Sequence, residues 1–188
     1  MLMAHEYEEH VREQRQQKEE YFAESPRSPI PRSAQADFAG LEYFPVDPSM
    51  RFEAELHEHA DPESLTVETT AGNAQEYLRW GEFHLEIEGE TVTIQAYKGD
   101  PSEDRLWVPF RDETNSEETY GAGRYLDLER DRHYEDGTWL IDFNMAYNPT
   151  CAYNEAYECP LIPTENWLDV RIEAGEKAYP DEPHAPDR

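Results

Sequence analysis

Two glycines and an arginine in residues 118–127 have the composition of an anion-binding turn. Gly121 and Gly123 flank Ala122 directly before Arg124. Glycine lets a backbone approach a ligand closely, and a guanidinium can donate two parallel hydrogen bonds to a carboxylate or phosphate. The alternative is a glycine-rich hairpin whose arginine pairs with one of the chain's own carboxylates. The residues alone leave both interpretations open.

A second polar group follows an apolar strand in residues 140–163, a segment that also contains both cysteines. Asp142 and Asn144 are two positions apart and therefore share one face of the predicted strand. If that face is buried, both side chains need partners, because an unpaired buried polar group costs about 1–3 kcal/mol. Either a bound ligand or the backbone amides of the following turn can supply those partners.

The two segments together predict a pocket for a small polar or anionic ligand. In this pocket the arginine would hold an anionic group, the asparagines would fix the ligand's orientation and the tyrosines would stack on it. The predicted lining residues are Arg124, Tyr125, Asp142, Asn144, Tyr147, Asn148, Tyr153 and Asn166. One alternative is a structural or protein-interaction module without a ligand. Another is a hydrolase or lyase with Asp142 as base and Tyr147 or Tyr153 as acid. The residues identify no cofactor.

Cys151 and Cys159 have several interpretations. Small buried thiols are favoured, since free cysteine is among the most buried residue types. A disulfide would close a short loop, but a reducing cytoplasm disfavours it. A zinc site needs about four ligands, and no C-x-x-C or neighbouring cysteine–histidine pair completes one. A nucleophilic cysteine would need a base, such as His84 or His133, brought next to it by the fold.

The elements that must position these side chains are mainly β-strands. From Phe38 onward the apolar residues alternate with a period of two and are rich in β-branched and aromatic types. Nine strands are predicted, at residues 51–56, 64–69, 74–80, 82–88, 91–97, 105–110, 124–128, 138–143 and 168–173. We therefore expect a single antiparallel β-sandwich or barrel of about nine strands, with an N-terminal helix and an extended arm.

The composition divides the chain into four regions. Residues 1–24 are charged and lack glycine and proline, which predicts a helix. Residues 25–37 contain three prolines, so they cannot continue that helix and form an arm. The β domain spans residues 38–177, and residues 178–188 predict a disordered acidic tail.

Acidic residues are spread along the whole chain. Forty-three Asp and Glu face sixteen Lys and Arg, giving a net charge of −27. Molar salt shortens the Debye length to ~3 Å and screens this repulsion, which predicts a cytoplasmic protein of a salt-accumulating halophile. The rival interpretation is an acidic mimic of nucleic acid or a partner for a basic protein.

The same composition limits the partners. No basic patch is available to neutralise phosphates, so we expect no nucleic-acid partner. No apolar run approaches the ~20 residues of a membrane-spanning helix, so we expect no membrane partner. Association with a second copy of the chain stays open.

Several motifs occur in one order along residues 38–177. They are F-A-G-L-E-Y-F-P-V-D-P at 38–48, V-P-F-R-D-E-T at 108–114, E-T-Y-G-A-G-R-Y-L-D at 118–127, D-F-N-M-A-Y-N-P-T-C-A-Y-N at 142–154, E-C-P-L-I-P-T-E-N at 158–166 and I-E-A-G-E-K at 172–177. On these motifs the chain resembles a haloarchaeal-type member of an archaeal and bacterial family known only as a domain of unknown function. The resemblance covers roughly residues 21–177 and implies a shared fold, but it brings no activity. Ile162 departs from the family's C-P-L-P-P pattern, a change that loosens a turn without removing a reactive group.

Overall fold

The computed structural model describes residues 3–187, and most of its regular structure is β-strand. One long helix, α1 (Ala4–Glu24), precedes the strands, and the short helix α2 (Arg130–His133) interrupts them. Within these residues there are eight strands: β1 (Arg51–Ala54), β2 (His57–Glu68), β3 (Ala74–Ile87), β4 (Glu90–Lys98), β5 (Arg105–Phe110), β6 (Arg124–Glu129), β7 (Tyr134–Glu135) and β8 (Thr138–Asp142). Short 3-10 turns lie at residues 32–37, 48–50, 143–145, 150–152 and 164–166.

The strands form two antiparallel sheets that share one hydrophobic core. The smaller sheet has the order β1-β8-β7, and the larger has the order β2-β3-β4-β5-β6. Buried side chains from both sheets form a single cluster, for example Phe83, Ile94, Val108, Leu126 and Ile141. The predicted antiparallel, mainly β fold is therefore confirmed. In the part of the chain that the structure describes, the larger sheet ends at β2 and β6, so it does not close into a barrel.

The prediction of nine strands was wrong, first of all around Gly81. Residues 74–80 and 82–88 were expected to be two strands, but they form the single strand β3. Gly81 lies inside this strand, at a shift in its register with β4. A Cβ atom at this position would lie 2.8 Å from the carbonyl oxygen of His57 in β2. The glycine therefore permits a close approach of two strands and does not mark a turn.

Residues 168–173 were also expected to be a strand, and they form none. Their backbone groups are bound by side chains and by isolated loop hydrogen bonds. The amide of Ile172 donates to Asp112 Oδ2 at 2.7 Å, and the carbonyl oxygen of Ile172 accepts from Arg124 Nη2 at 2.8 Å. Leu168, Val170 and Ile172 thus pack into the core although their backbone joins no β-sheet. Alternation of apolar residues predicts burial of this kind, but it does not show whether the backbone pairs with a strand.

The N-terminal helix and the C-terminal residues pack against the β domain. Helix α1 buries Tyr7, Val11 and Phe22, and the Phe22 ring packs edge-on against Tyr153 with centroids 4.9 Å apart. In the tail, which we predicted to be disordered, the amide of His184 donates to the Tyr153 carbonyl oxygen at 2.8 Å. Among the described residues, neither helix is long and apolar enough to cross a membrane.

Candidate functional site

Arg124, the predicted anion-binding arginine, is fully buried at the start of β6. Its Nη2 donates to the carbonyl oxygen of Ile172 at 2.8 Å and faces Asp112 Oδ1 at 3.4 Å. Its Nη1 donates to the carbonyl oxygens of Ala174 and Glu176. Burial lowers the pKa of Arg124 and the Asp112 carboxylate opposes that shift, so the guanidinium stays charged. The protein's own carbonyl oxygens and Asp112 therefore occupy both terminal nitrogens of the guanidinium, while Arg124 Nε is buried without a partner among the described residues.

Asp142 and Asn144 also find partners inside the protein. Asp142 accepts from the Asn144 amide at 3.0 Å, which caps the turn after β8, and from the Tyr7 hydroxyl at 2.7 Å. Asn144 Nδ2 donates to Tyr7 Oη at 3.0 Å and to the Asp47 carbonyl oxygen at 2.8 Å. Asn144 Oδ1 accepts from the Asp47 amide at 2.8 Å. These two side chains therefore anchor α1 and the loop at Asp47 to the end of β8.

Asn148 and Tyr153 contact the C-terminal residues 172–177. Asn148 Nδ2 donates to the carbonyl oxygen of Lys177 at 2.9 Å. The Tyr153 hydroxyl donates to the buried carboxylate of Glu176. Burial, followed by the nearby Glu176 carboxylate, raises the pKa of Tyr153, so this phenol stays protonated. With the buried arginine, three of the predicted site residues thus hold the same C-terminal segment.

Tyr125 and Tyr147 bring the two predicted segments together. Their backbones form an antiparallel bridge with N···O distances of 2.9 and 3.1 Å, and their rings pack edge to face at 6.0 Å. The Tyr125 hydroxyl donates to the Pro160 carbonyl oxygen, and the Tyr147 hydroxyl donates to the Asp127 carboxylate. Burial raises the pKa of both phenols. The segments are therefore neighbours, but their tyrosines already have internal partners.

Asn166 lies in a different place, at the 3-10 turn of residues 164–166. Its Oδ1 accepts from the Gln95 amide at 2.8 Å, and its Nδ2 donates to the carbonyl oxygens of Gln95 at 2.9 Å and Pro109 at 2.7 Å. The register of β4 and β5 consists of one Cα pair, Tyr97 with Trp107. Asn166 therefore connects Gln95 of β4 to Pro109 of β5 by hydrogen bonds, at a place where the two strands do not pair directly.

The acid–base pairs considered from the sequence are not assembled in the described residues. Tyr147 and Tyr153 donate to Asp127 and Glu176, whereas Asp142 pairs with a third phenol. His84 hydrogen-bonds Glu82 at 2.8 Å, and His133 Nδ1 accepts from the Glu129 amide at 2.8 Å, so each imidazole is engaged away from the cysteines.

Cys151 and Cys159 are both free thiols in the structure. Cys159 is buried and Cys151 is partly exposed. Within residues 3–187, no three His, Cys, Asp or Glu side chains come close enough together to hold a metal ion. The cysteines therefore have to be considered as a pair of thiols.

An open cavity lies between α1 and residues 144–147, and we call it the α1 cavity. Its volume is about 250 Å³. It is lined by Gln14, Arg15, Lys18, Tyr43, Asn144, Met145, Ala146 and Tyr147. Two of these residues were predicted site residues, but the cations Arg15 and Lys18 were not. The sequence carried one weak signal for them, since Lys18 is one of only three lysines in an acidic chain.

Arg15 is partly buried in the α1 cavity and stacks its guanidinium 4.4 Å from the centre of the Tyr43 ring. Its Nη1 donates to the Phe44 carbonyl oxygen at 2.9 Å and its Nη2 to the Asn144 carbonyl oxygen at 3.4 Å. It forms no ion pair with any residue in the described range. Two buried polar atoms here, Arg15 Nε and Tyr43 Oη, have no hydrogen-bond partner in the described part of the chain.

The other cation of the α1 cavity, Lys18, forms an ion pair with the Glu176 carboxylate. Its Nζ lies 2.6 Å from Glu176 Oε1 and 5.4 Å from the centre of the Tyr147 ring. Burial, with Glu176 as the next cause, raises the pKa of Tyr43, so its hydroxyl remains a donor at neutral pH. Burial lowers the pKa of Arg15, and the nearby Asp142 carboxylate is among the groups that oppose this shift, so Arg15 is the cation of the cavity that has no ion-pair partner among the described residues.

A larger cleft of about 880 Å³ lies between α2 and the ends of β5 and β6. Four carboxylates and two arginines line it together with Tyr134: Glu103, Asp104, Glu129, Asp131, Arg105 and Arg130. Most of these side chains are exposed, and within residues 3–187 none of them has a buried polar atom without a partner. The polar side chains of this cleft are mostly open to solvent. In the α1 cavity, by contrast, two buried donors have no acceptor among the described residues.

Comparison with known proteins identifies the relatives of this chain. The family model described as "Protein of unknown function (DUF1684)" matches residues 36–177. The chain belongs to this family. A similar solved structure is the solution NMR structure of the uncharacterized protein from gene locus rrnAC0354 of Haloarcula marismortui. It is 39% identical, with 92% of this chain and 95% of that chain covered and a TM-score of 0.69. No curated protein matches the chain.

The predicted membership of a family of unknown function is therefore confirmed. The DUF1684 match includes Tyr43, residues 144–147 and Glu176 of the α1 cavity, but it begins after α1. Arg15 and Lys18 therefore lie outside the residues that define the family match. The likeness to the Haloarcula protein covers 92% of the chain and so extends beyond that match.

Proposed function

We propose that this DUF1684 protein binds a small anionic ligand in the α1 cavity. The observation that carries the proposal is a pair of buried donors, Arg15 Nε and the Tyr43 hydroxyl, that have no partner within the described part of the chain. A buried donor without an acceptor costs about 1–3 kcal/mol, and such groups in native proteins call for an explanation. A ligand oxygen that accepted a hydrogen bond from either group would remove part of this cost.

The charges of the α1 cavity favour an anion over a neutral ligand. Arg15 has no carboxylate partner among residues 3–187, although the chain contains 43 acidic residues. The charge of Lys18 is offset by Glu176, which leaves Arg15 as the cation of the cavity without an ion-pair partner among residues 3–187. The acidic exterior repels anions at low salt, but molar salt confines this repulsion to ~3 Å. Binding is therefore compatible with the net charge of −27 in brine.

The size and walls of the α1 cavity limit the ligand further. A volume of about 250 Å³ lies below the ~300–1,000 Å³ of sites for drug-sized molecules. Tyr43, Met145 and Tyr147 provide apolar surface around the polar end at Arg15. The geometry therefore suits a short carboxylic acid or a small phosphate rather than a nucleotide.

The Arg15 guanidinium provides a direct spectroscopic test. The Nε–Hε signal of Arg15 is followed by NMR while phosphate, acetate or succinate is added at constant molar KCl, so that chloride competition stays constant. We expect one of these anions to shift this signal saturably. The variant Arg15→Gln should weaken that binding by about ten- to a hundredfold, since it removes a charge-assisted hydrogen bond.

Matched variants separate binding from folding. Arg12→Gln removes a cation from the exposed face of α1, where Arg12 contacts Glu8, and should leave binding unchanged. Tyr43→Phe removes only a hydroxyl and should weaken binding by about two- to tenfold. The proposal fails if none of the three anions shifts the Arg15 signal, or if Arg15→Gln binds as tightly as the wild type.

A second candidate function is an interaction module that associates with another copy of the chain. The observation that favours it is an apolar groove of about 300 Å³, lined in part by Leu65, Val67, Leu161, Ile162 and Pro163. Leu161 is 38% exposed beside it, and Trp167 is 50% exposed close by in the chain. Light scattering in molar KCl tests this function. A dimer that Leu161→Ser converts to a monomer would support it, and a monomeric wild type would exclude self-association.

The chemical setting of both functions is part of the proposal. The net charge of −27 supports work in the salt-rich cytoplasm of a halophile. The similar structure from Haloarcula marismortui supports the same setting.

A further inference from the structure

Cys151 and Cys159 form a hydrogen-bonded pair away from the α1 cavity. The Cys151 amide donates to Cys159 Sγ at 3.3 Å, and Thr150 Oγ1 lies 3.5 Å from the same sulfur. The Tyr120 hydroxyl lies 3.6 Å from Cys151 Sγ. The 3-10 turn of residues 150–152 therefore directs two donors at one sulfur and leaves the other sulfur beside a phenol.

This arrangement gives the two thiols different pKa values, a lowered one for Cys159 and a raised one for Cys151. The neighbouring Cys151 side chain, followed by the Thr150 hydroxyl and the Cys151 amide, lowers the pKa of Cys159 to about 6, against the opposing effect of burial. The Cys159 side chain, followed by burial, raises the pKa of Cys151. The other titratable groups that act on the pair are the phenols of Tyr120, Tyr125 and Tyr147, whose pKa values burial raises, so they are uncharged.

We propose that Cys159 and Cys151 form a peroxide-reactive dithiol that reduces hydrogen peroxide or a small alkyl hydroperoxide. The Cys159 thiolate attacks one oxygen of the hydroperoxide, so that an S–O bond forms and the O–O bond breaks. The leaving alkoxide or hydroxide takes a proton from solvent. This two-electron step converts Cys159 to a sulfenic acid and the hydroperoxide to an alcohol or water.

The second step uses the neighbouring thiol. The Cys151 sulfur attacks the sulfenic sulfur of Cys159, an S–S bond forms and the S–O bond breaks. The hydroxyl group leaves as water with the proton of the Cys151 thiol. Overall, two thiols and one hydroperoxide give one disulfide, one alcohol or water, and one further water. The existing contact between the Cys151 amide and Cys159 Sγ means that the residues already stand within reach of each other.

Burial restricts the oxidant. Cys159 is only 5% exposed, so a water-sized peroxide can reach its sulfur more easily than a bulky one. A low pKa raises the fraction of thiolate but also lowers its intrinsic nucleophilicity, so the two effects largely cancel in the absolute rate at neutral pH. The pH at which reactivity appears is therefore a sharper readout than the rate itself.

The test is oxidation of the full-length protein by hydrogen peroxide in molar KCl. We expect both thiols to disappear together, the protein to stay monomeric on a non-reducing gel, and dithiothreitol to restore both thiols. The rate of thiol loss should rise with pH with an inflection near pH 6, where Cys159 ionises. A bulky aryl hydroperoxide should react at least tenfold more slowly.

Three variants assign the roles. Cys151→Ser should stop at the sulfenic acid of Cys159, which intact-protein mass spectrometry detects as the gain of one oxygen atom. Thr150→Val keeps the shape of its side chain and removes one donor, so it should move the inflection to higher pH. Cys159→Ser should react at least tenfold more slowly than the wild type at neutral pH, because it removes the sulfur that Thr150 and the Cys151 amide contact, while burial still raises the pKa of the Cys151 thiol.

Four outcomes would overturn the proposal. The first is survival of both thiols under conditions that oxidise free cysteine completely. The second is an inflection above pH 8 in the wild type, and the third is a disulfide between molecules. The fourth is Cys159→Ser reacting as fast as the wild type. Cys151→Ser and Thr150→Val leave Cys159 in place, so they decide the matter even if the Cys159 variant does not fold.

Discussion

Arg124 Nη2 and Asp112 Oδ1 lie 3.4 Å apart, and neither side chain is exposed to solvent. Asp112 also accepts from the Ile172 amide at 2.7 Å and from the Thr114 hydroxyl at 2.7 Å. The two charged residues therefore bind the same C-terminal segment: Asp112 accepts from one of its amides, and Arg124 donates to three of its carbonyl oxygens. The pair is a structural junction, which explains why an arginine is fully buried in a protein with few cations.

Removing one member of this junction should strongly lower the free energy of unfolding. Arg124→Met leaves the Asp112 carboxylate buried without its cation and several carbonyl oxygens without donors. Breaking a buried ion pair in this way costs about 3–5 kcal/mol of unfolding free energy. Urea denaturation at constant molar KCl measures the loss.

Two controls accompany this prediction. Arg171→Met removes a more exposed arginine that pairs with Glu117, Glu118 and Glu173, and should shift the urea midpoint far less. Adding Asp112→Asn to Arg124→Met should recover part of the lost stability, because it removes the uncompensated charge. Equal effects of Arg124→Met and Arg171→Met would contradict the structural role.

Asn166 should be necessary for the contact between β4 and β5. Asn166→Ala leaves the Gln95 amide and the carbonyl oxygens of Gln95 and Pro109 without their partner. We expect a loss of about 2–4 kcal/mol, since each unsatisfied buried group costs about 1–3 kcal/mol and water enters to relieve some of them. Hydrogen exchange should show faster opening at Gln95. Thr164→Ala, at an exposed position of the same turn, should leave both measurements unchanged.

Gly175 should not tolerate a side chain. Its φ is +82°, and a Cβ atom would lie 2.6 Å from the Phe143 carbonyl oxygen and 2.9 Å from the Ala146 Cβ atom. Gly175→Ala should cost about 2–5 kcal/mol, from left-handed backbone strain and overpacking together. Gly137 has a φ of +90°, and no atom lies within 4 Å of the place that a Cβ atom would take there, so Gly137→Ala should cost only about 1–2 kcal/mol. Equal urea midpoints for the two variants would disprove the packing argument.

The buried phenols should make the protein unfold cooperatively in alkali. Burial raises the folded-state pKa of Tyr125, Tyr147 and Tyr153, whereas unfolded tyrosines titrate near pH ~10. Above pH ~10 the folded state therefore holds more protons than the unfolded state. The unfolding free energy should be unaffected by these groups below pH ~10 and fall above it, by at most ~1.4 kcal/mol per pH unit for each tyrosine.

Tyrosinate absorbance and circular dichroism measured against pH should show this behaviour. The buried tyrosines should ionise together with the loss of circular dichroism, at a pH above the ~10 of unfolded tyrosine. Gradual ionisation of every tyrosine with an unchanged circular dichroism signal would contradict the prediction.

Stability should rise with salt. The net charge of −27 produces self-repulsion that reaches about 10 Å at about 0.1 M salt and about 3 Å at about 1 M. The urea midpoint should therefore increase steadily with KCl. Replacing the exposed Glu53, Glu88 and Glu90 by glutamine should reduce the slope of that increase. A midpoint that is the same at low and molar KCl would exclude repulsion as the cause.

The strands were largely predictable because alternation is a local property. The bounds predicted for residues 105–110 coincide with β5. Those for residues 124–128 end one residue before β6 does, and those for residues 91–97 are one residue short of β4 at each end. The same local rule failed where a residue's role depends on a distant neighbour. Gly81 was interpreted as a strand break, although it accommodates the backbone of β2.

The sequence by itself determined the charge, the mainly antiparallel β architecture and the identity of the polar residues that need partners. Only the tertiary structure decided which groups are the hydrogen-bond partners of these residues. Arg124 bonds carbonyl oxygens 48 to 52 residues away, and Asn166 bonds groups 57 and 71 residues away. Every residue carries the same carbonyl group, so no sequence pattern distinguishes the carbonyls that a buried side chain will meet. For the same reason, the donors left over at Arg15 and Tyr43 became visible only once the chain was folded.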